Sequence, residues 1–187
     1  MRIIAGEFRG RNILPPATDV TRPITDRVKQ SVFDILTPLL DDAVVFDLFA
    51  GTGSMGLECL SRGAKSVHFF EADRSALERL RKNVTTLGLS DRASIIAGNL
   101  FKWFEKSASK IPADLVFLDP PYRFLDEQPE QLQKLVENWQ GGFLAEGATI
   151  IFRHDADDRL ELPGLVQIDE RMYGGMAVEF LRASTKS

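Results

Sequence analysis

Val44-Val45-Phe46-Asp47-Leu48-Phe49-Ala50-Gly51-Thr52-Gly53-Ser54-Met55-Gly56 decides how the rest of the chain is to be read. A short apolar run (44–46) ends on a carboxylate. A turn of the form G-x-G-x-x-G follows, and a helical pattern then continues to about Arg62. Strand, glycine turn and helix in that order make the phosphate- or nucleoside-binding corner of an α/β sheet, where glycine lets the backbone approach a ligand closely. Glu71 lies 20 residues beyond Gly51 and closes the next apolar run, 67–70. That spacing sets a carboxylate beside a ribose lying over the turn. A dinucleotide would rest its pyrophosphate on the helix N-terminus. Asp47, four residues before Gly51, is an anion at that place; it would repel a pyrophosphate and suit an ammonium group. S-adenosylmethionine carries such a group and no phosphate. A loop-capping role for Asp47 is the alternative. The chain contains no G-x-x-x-x-G-K-[ST], so a P-loop nucleotide hydrolase is not supported.

Working outward, apolar runs alternate with amphipathic segments. Leu77, Leu80, Val84 and Leu87 space a helix that stops at Gly88. Residues 94–97 read as a strand, 101–106 as a short helix and 115–118 as a buried strand ending at Asp119. Leu132, Leu135, Val136 and Trp139 form another helical face, stopped by Gly141-Gly142. A strand at 149–152 follows, and 165–169 and 177–181 flank Gly174-Gly175 as an antiparallel pair. Alternation of this kind predicts a Rossmann-like α/β fold, a mostly parallel sheet covered by helices on both faces. Upstream, residues 2–14 read as short strands with a tight turn. Thr25 caps a helix from Asp26, whose apolar face holds Val28, Val32, Ile35, Leu36 and Leu39. The expected division is an N-terminal basic hairpin and helix (1–42), a cofactor-binding domain (43–183) and a tail (184–187).

Asp119-Pro120-Pro121-Tyr122 directly follows the run 115–118, so it lies at the carboxyl end of a strand, where open α/β sheets bind ligands. Its chemistry suits methylation of an exocyclic amine. The lone pair of such an amine is delocalised into its ring, which makes it a weak nucleophile. The Asp119 carboxylate and the Pro120 carbonyl can each accept one N–H and draw the nitrogen toward tetrahedral geometry. Paired prolines stiffen the turn and remove competing donors, and Tyr122 offers a face for a base to stack on, worth about 1–3 kcal/mol. In-line displacement leaves much of the rate to positioning.

Composition bounds the alternatives. The chain has 187 residues, 44% hydrophobic and 27% charged, as for one globular domain. Cys59 is the single cysteine, which excludes an internal disulfide and a cysteine zinc site; its place on the helix after the glycine turn suits the core. With only His68 and His154 no histidine-rich metal site is expected, and His154 reads as a surface residue. Asp155, Asp157 and Asp158 read as a solvated loop. The N-terminus has neither the pattern of a signal peptide nor an apolar span, so a cytoplasmic protein is expected. Net charge is −4, on average unfavourable to nucleic acid. It is unevenly placed: residues 1–30 hold six basic and three acidic residues, and the other 157 hold 17 and 24. Five of those six are arginines, suited to bidentate phosphate contact, although a solvated basic hairpin is the plainer meaning of such a segment.

Asp47 to Gly53, Glu71 and Asp119 to Tyr122 resemble the cofactor and catalytic motifs of class I S-adenosylmethionine-dependent amino-methyltransferases. Arg2-Ile3-Ile4-Ala5-Gly6, Arg9-Gly10-Arg11, Arg22-Pro23, Thr25-Asp26-Arg27-Val28, Leu57-Glu58, Leu60-Ser61-Arg62-Gly63-Ala64 and Tyr173-Gly174 narrow the resemblance to the bacterial RsmD-like 16S ribosomal RNA guanine-N2 methyltransferases. It covers nearly the whole chain. It implies a seven-stranded sheet with an N-terminal extension, and a monomer methylating one guanine of ribosomal RNA in an assembled small subunit. It also implies that Asp47, Gly51 and Gly53 hold the methionine part of S-adenosyl-L-methionine and Glu71 its ribose, that Asn99 and Leu100 flank its adenine, and that Phe49, Ala50, Thr52 and Ala72 belong to the same cofactor site. Asp119, Pro120 and Tyr122 would hold the target base, with Pro121 completing the catalytic turn; from the basic segment itself, Arg2, Arg9, Arg11, Arg22 and Arg27 are expected to meet the RNA. Asn99 stands where such enzymes usually have Asp, Ile24 where they have Thr, and Phe152-Arg153-His154 where the strand end is more acidic. The competing expectations are an amino-methyltransferase for DNA adenine N6, DNA cytosine N4 or protein glutamine, an NAD(P)-dependent oxidoreductase, and a noncatalytic RNA-binding module.

Overall fold

The computed structural model describes residues 1–17, 24–107, 111–121, 123–139 and 142–184. Its strands are β1 Val44–Asp47, β2 Ser66–Glu71, β3 Ala93–Ala97, β4 Ala113–Leu118, β5 Leu144–Asp155, β6 Leu165–Tyr173 and β7 Met176–Ala183. They form a seven-stranded sheet in the order β3-β2-β1-β4-β5-β7-β6. The first five run parallel, and β7 lies antiparallel between β5 and β6. Helices are α1 Asp26–Leu36, α2 Ser54–Ser61, α3 Arg74–Leu87, α4 Leu100–Lys106, α5 Arg123–Glu127 and α6 Pro129–Trp139.

Side chains alternate across the central strands and so divide the core into two layers. Val45, Phe69, Leu115, Phe117 and Ile151 face one way, onto Val32, Phe33 and Leu36 of α1, Leu57 and Leu60 of α2, and Leu80 and Val84 of α3. Phe46, Phe70, Val116, Leu118, Ile150 and Phe152 face the other, onto Phe104 of α4 and Leu132, Leu135, Val136 and Trp139 of α6. Truncating any of the fully buried leucines to alanine should cost about 2–5 kcal/mol.

Several local expectations change here. On α1, Val32 and Leu36 are buried as the periodicity predicts, but Leu39 is exposed. Pro38 ends the α-helix, leaving a 3-10 turn over Thr37–Leu39. Lys29 and Phe33 take the buried positions instead. Strand β5 is longer than its apolar run. Arg153, His154 and Asp155 pair with Val178, Ala177 and Met176 of β7, so hydrogen bonding extends the strand through polar residues. Helix α5 went unanticipated. The two short N-terminal strands reduce to one antiparallel bridge, Arg2 with Asn12.

The reason lies in α2, which takes the backbone groups a ladder would need. Glu58 accepts the amides of Ile4 at 2.8 Å and Ala5 at 2.9 Å. Ser61 accepts Glu7 N–H on its carbonyl at 2.7 Å and Phe8 N–H on its hydroxyl at 3.0 Å. Gly6 sits at φ +82°, where a Cβ would lie 1.9 Å from the Ser61 carbonyl oxygen; only glycine permits that approach. Tyr173 Oη lies 2.8 Å from Ser31 Oγ and ties the β6–β7 hairpin to α1.

Candidate active site

Strand order reverses between β1 and β4, because β1 connects outward to β2 while β4 continues to β5. The crevice beyond their carboxyl ends is where open α/β sheets take ligands. Asp47 closes β1, Glu71 closes β2 and Asp119 follows β4, so the three expected carboxylates converge on this one crevice.

Asp47 is almost fully buried. Its Oδ2 accepts the Gly56 N–H at 3.0 Å, nine residues on, which is the loop-capping role. Burial pushes its carboxyl up to about 7; the Gly56 bond opposes that, the charges of Asp119 and Glu71 add to it, and Arg153 opposes it. An ammonium ion beside Asp47 would relieve this buried charge, so the residue suits the amino-acid end of the expected cofactor. Gly56 must be glycine, since a Cβ would lie 2.3 Å from the Phe69 ring.

Glu71 is more occupied than its expected ribose role requires. Its Oε2 accepts Gly51 N–H at 2.7 Å, and its Oε1 accepts Ala72 and Asp73 N–H at 2.8 and 2.7 Å. A carboxylate offers about four acceptor sites, so three loop amides leave room for about one hydroxyl. Sequence spacing could not show this competition. It also missed Asn83 of α3, which is buried and donates to the carbonyls of Thr52 at 2.9 Å and Leu14 at 3.2 Å. One side chain thereby joins the glycine turn to the N-terminal arm.

Asn99 Oδ1 caps α4 by accepting Lys102 N–H at 3.1 Å, and Leu100 behind it is buried. Phe49, Phe101 and Phe124 gather at the neighbouring strand ends; Phe101 and Phe124 stack at 5.6 Å and 11°, with Phe49 6.0 Å from Phe124. This apolar wall can receive the flat face of a purine. Ala50, Thr52 and Gly53 form the turn itself, with Gly53 N–H on the Ala50 carbonyl at 2.8 Å.

Pro120 is buried and Pro121 exposed; Tyr122 lies outside the described residues. Asp119 is held by Arg153, whose Nε donates to Oδ1 at 2.7 Å and whose Nη2 lies 2.6 Å from Oδ2. Burial keeps the Asp119 carboxyl above the usual range despite this ion pair.

Arg9, Arg11 and Arg27 are exposed, and Arg22 lies outside the described residues. Arg2 is paired with Asp26 at 2.7 Å. Lys29, counted with the basic segment, is buried against Glu58 at 2.9 Å. His154 is not on the surface as expected: it is 1% exposed, with Nδ1 2.7 Å from the Asp155 carbonyl and Nε2 3.3 Å from Glu179. The pattern that hid it is the polar continuation of β5. Cys59 is buried as expected, and burial pushes its thiol up, away from the reactive thiolate. Among the described residues no cluster of His, Cys, Asp and Glu could hold a metal ion, and no helix is long and apolar enough to cross a membrane.

Comparison with known proteins agrees with this architecture. The family described as Conserved hypothetical protein 95 matches residues 1–182. Ribosomal RNA small subunit methyltransferase D of Escherichia coli (strain K12) is 35% identical, over 86% of this chain and 77% of its own. The solved structure of Escherichia coli yhhF superposes with a TM-score of 0.84 at 30% identity, covering 100% of this chain and 99% of that one. An RNA methyltransferase from Salinibacter ruber, solved with S-adenosyl-L-homocysteine, shares the fold at 18% identity and a TM-score of 0.66, covering 88% and 95% of the two chains.

Proposed function

The chain belongs to the family described as Conserved hypothetical protein 95, and on that premise we propose that it methylates the exocyclic N2 amine of a guanine in small-subunit ribosomal RNA. The observation that carries this is the convergence of Asp47, Glu71 and Asp119 on one crevice, at the reversal of strand order. When bound, S-adenosylmethionine supplies the electrophilic methyl group.

Each residue then has a task. Asp47 takes the cofactor's ammonium, with the turn from Phe49 to Gly53 against the methionine part. Glu71 takes one ribose hydroxyl on its remaining acceptor site, beside Ala72. Asn99 and Leu100 border the adenine, and the Phe49, Phe101 and Phe124 rings keep water from it. Asp119 and the Pro120 carbonyl accept the two amine N–H groups. Asp119 is also placed to receive the proton that the nitrogen sheds as its bond to carbon forms. Pro121 fixes the turn, and Tyr122 stacks on the base. Arg2, Arg9, Arg11, Arg22 and Arg27 meet RNA phosphates. The three carboxylates come from one sheet, so a single copy of the chain suffices. A weakly basic arm on an acidic body favours a folded small subunit over free RNA, because shape can then add to a small electrostatic attraction.

Purified protein with labelled cofactor should form N2-methylguanosine in small subunits lacking that modification, and Asp119→Ala should abolish transfer while S-adenosylhomocysteine still binds in calorimetry. Methylation of duplex DNA instead of small subunits, or calorimetric binding of NAD alone, would overturn the proposal.

A further inference from the structure

Arg153 touches Asp119, the residue that meets the amine. It stands on β5, next to β4, with its side chain 16% exposed against 26% for Asp119. Two parallel contacts join the guanidinium fork to the two carboxylate oxygens. Around the pair the surface is apolar: Ile24 precedes α1, Val32 is on α1, Met55 on α2, Ile151 on β5 and Val178 on β7, enclosing a cavity of about 10 Å³. That is room for about one water. Arg153 Nη1 also rests 3.9 Å from Met176 Sδ. Asp47 from β1 and Glu71 from β2 also bring carboxylates to this crevice, and Lys29 from α1 reaches Ser54 at the start of α2. Glu179 of β7 is engaged by His154.

We infer that Arg153 is a positioning residue for methyl transfer, its guanidinium fork orienting the Asp119 carboxylate and keeping it ionised for the amine. The inference rests on the proposed amino-methyltransferase activity. A carboxylate has about four acceptor sites; the fork uses one on each oxygen and leaves a site for the one amine N–H that Asp119 accepts. It also fixes the plane of the carboxylate, and with it the direction in which the amine is drawn. Burial already raises the Asp119 carboxyl and Arg153 opposes that rise; without this partner the carboxyl would titrate higher still and be a poorer acceptor. Lysine could supply the charge but not the fork.

The test compares wild type, Arg153→Met and Arg153→Lys. Carbon-13 NMR follows the Asp119 carboxyl, assigned with Asp119→Asn, and needs no substrate. Arg153→Met should raise the Asp119 titration, and with it the acid limb of kcat/KM, by about one to three pH units. It should lower kcat on small subunits about 100-fold and leave KM for the subunit unchanged. Arg153→Lys should keep the acid limb in place and recover only part of kcat. An unshifted Asp119 titration, or wild-type kcat in Arg153→Met, overturns the inference. Should Arg153→Met not fold, wild-type kcat in Arg153→Lys overturns the fork. If wild type methylates no amine, the proposed function fails while the carboxyl titration still decides the ion pair.

Discussion

Asp47 is a buried carboxylate with a backbone amide on one oxygen and two further carboxylates within electrostatic reach. Its carboxyl stands at about 7 in the fold, against 3.8 ordinarily. The folded chain therefore holds a proton there between about pH 4 and 7 that the unfolded chain has lost. Stability from this group falls as pH rises through that window, by at most about 1.4 kcal/mol per unit. Cofactor binding runs the other way, because only the ionised form attracts an ammonium. Affinity for S-adenosylhomocysteine should rise from pH 5 to 7, by at most about tenfold per unit. Asp47→Asn keeps an acceptor for Gly56; it should raise the melting temperature of the ligand-free protein at pH 8 and weaken S-adenosylhomocysteine binding. Calorimetry and thermal melts check both signs, and unchanged binding in Asp47→Asn would remove Asp47 from the cofactor site. The chain's order of residues offered Asp47 as ammonium partner or loop cap. The structure has it capping, and the two roles are compatible.

Among the elements, α2 holds most of the N-terminal assembly. Glu58 is fully buried and meets Lys29 at 2.9 Å, Arg62 at 2.9 Å and the amides of Ile4 and Ala5. Burial alone would raise its carboxyl, but Lys29 and these donors together hold it below the usual range. Glu58 thus stabilises the fold above the ordinary carboxylate range, and that contribution is lost as pH falls. Glu58→Gln leaves Lys29 buried without its carboxylate, where burial already pulls the ammonium below its ordinary range. It should cost about 3–5 kcal/mol in urea unfolding and open the arm to trypsin at Arg9 and Arg11; a wild-type urea midpoint would show that the arm is held by its apolar contacts alone. Lys29 also reaches Ser54 Oγ at 3.3 Å, at the start of the helix that follows the glycine turn. Helix periodicity identified α1 and α2 separately. It could not show that Lys29 and Glu58 were partners, because each on its own reads as a solvent-facing charge.

For the molecule as a whole, the distribution of charge matters more than its sum. The basic segment is less available than its count, with Lys29 buried against Glu58 and Arg2 paired with Asp26. Arg9, Arg11 and Arg27 remain exposed. Arg9→Ala with Arg11→Ala should weaken binding to small subunits and flatten its logarithmic salt dependence by about 0.7–0.9 per lost phosphate contact, with S-adenosylhomocysteine affinity intact. An unmoved salt slope in filter binding would return the arm to a solvated loop.

Strand and helix periods, the glycine turn, the spacing to Glu71 and the placement of Asp119 are local or near-local properties, and the sequence determined them by itself. Backbone sterics and side-chain alternation act over a few residues, so the order of letters suffices. Register between β1 and β4, the Arg153 fork on Asp119, the three amides on Glu71, the burial of His154 and the Lys29–Glu58 pair were decided only by the tertiary structure. Each joins groups distant in the chain, and the meaning of a charge depends on which opposite charge the fold brings within about 3 Å and how much water it removes.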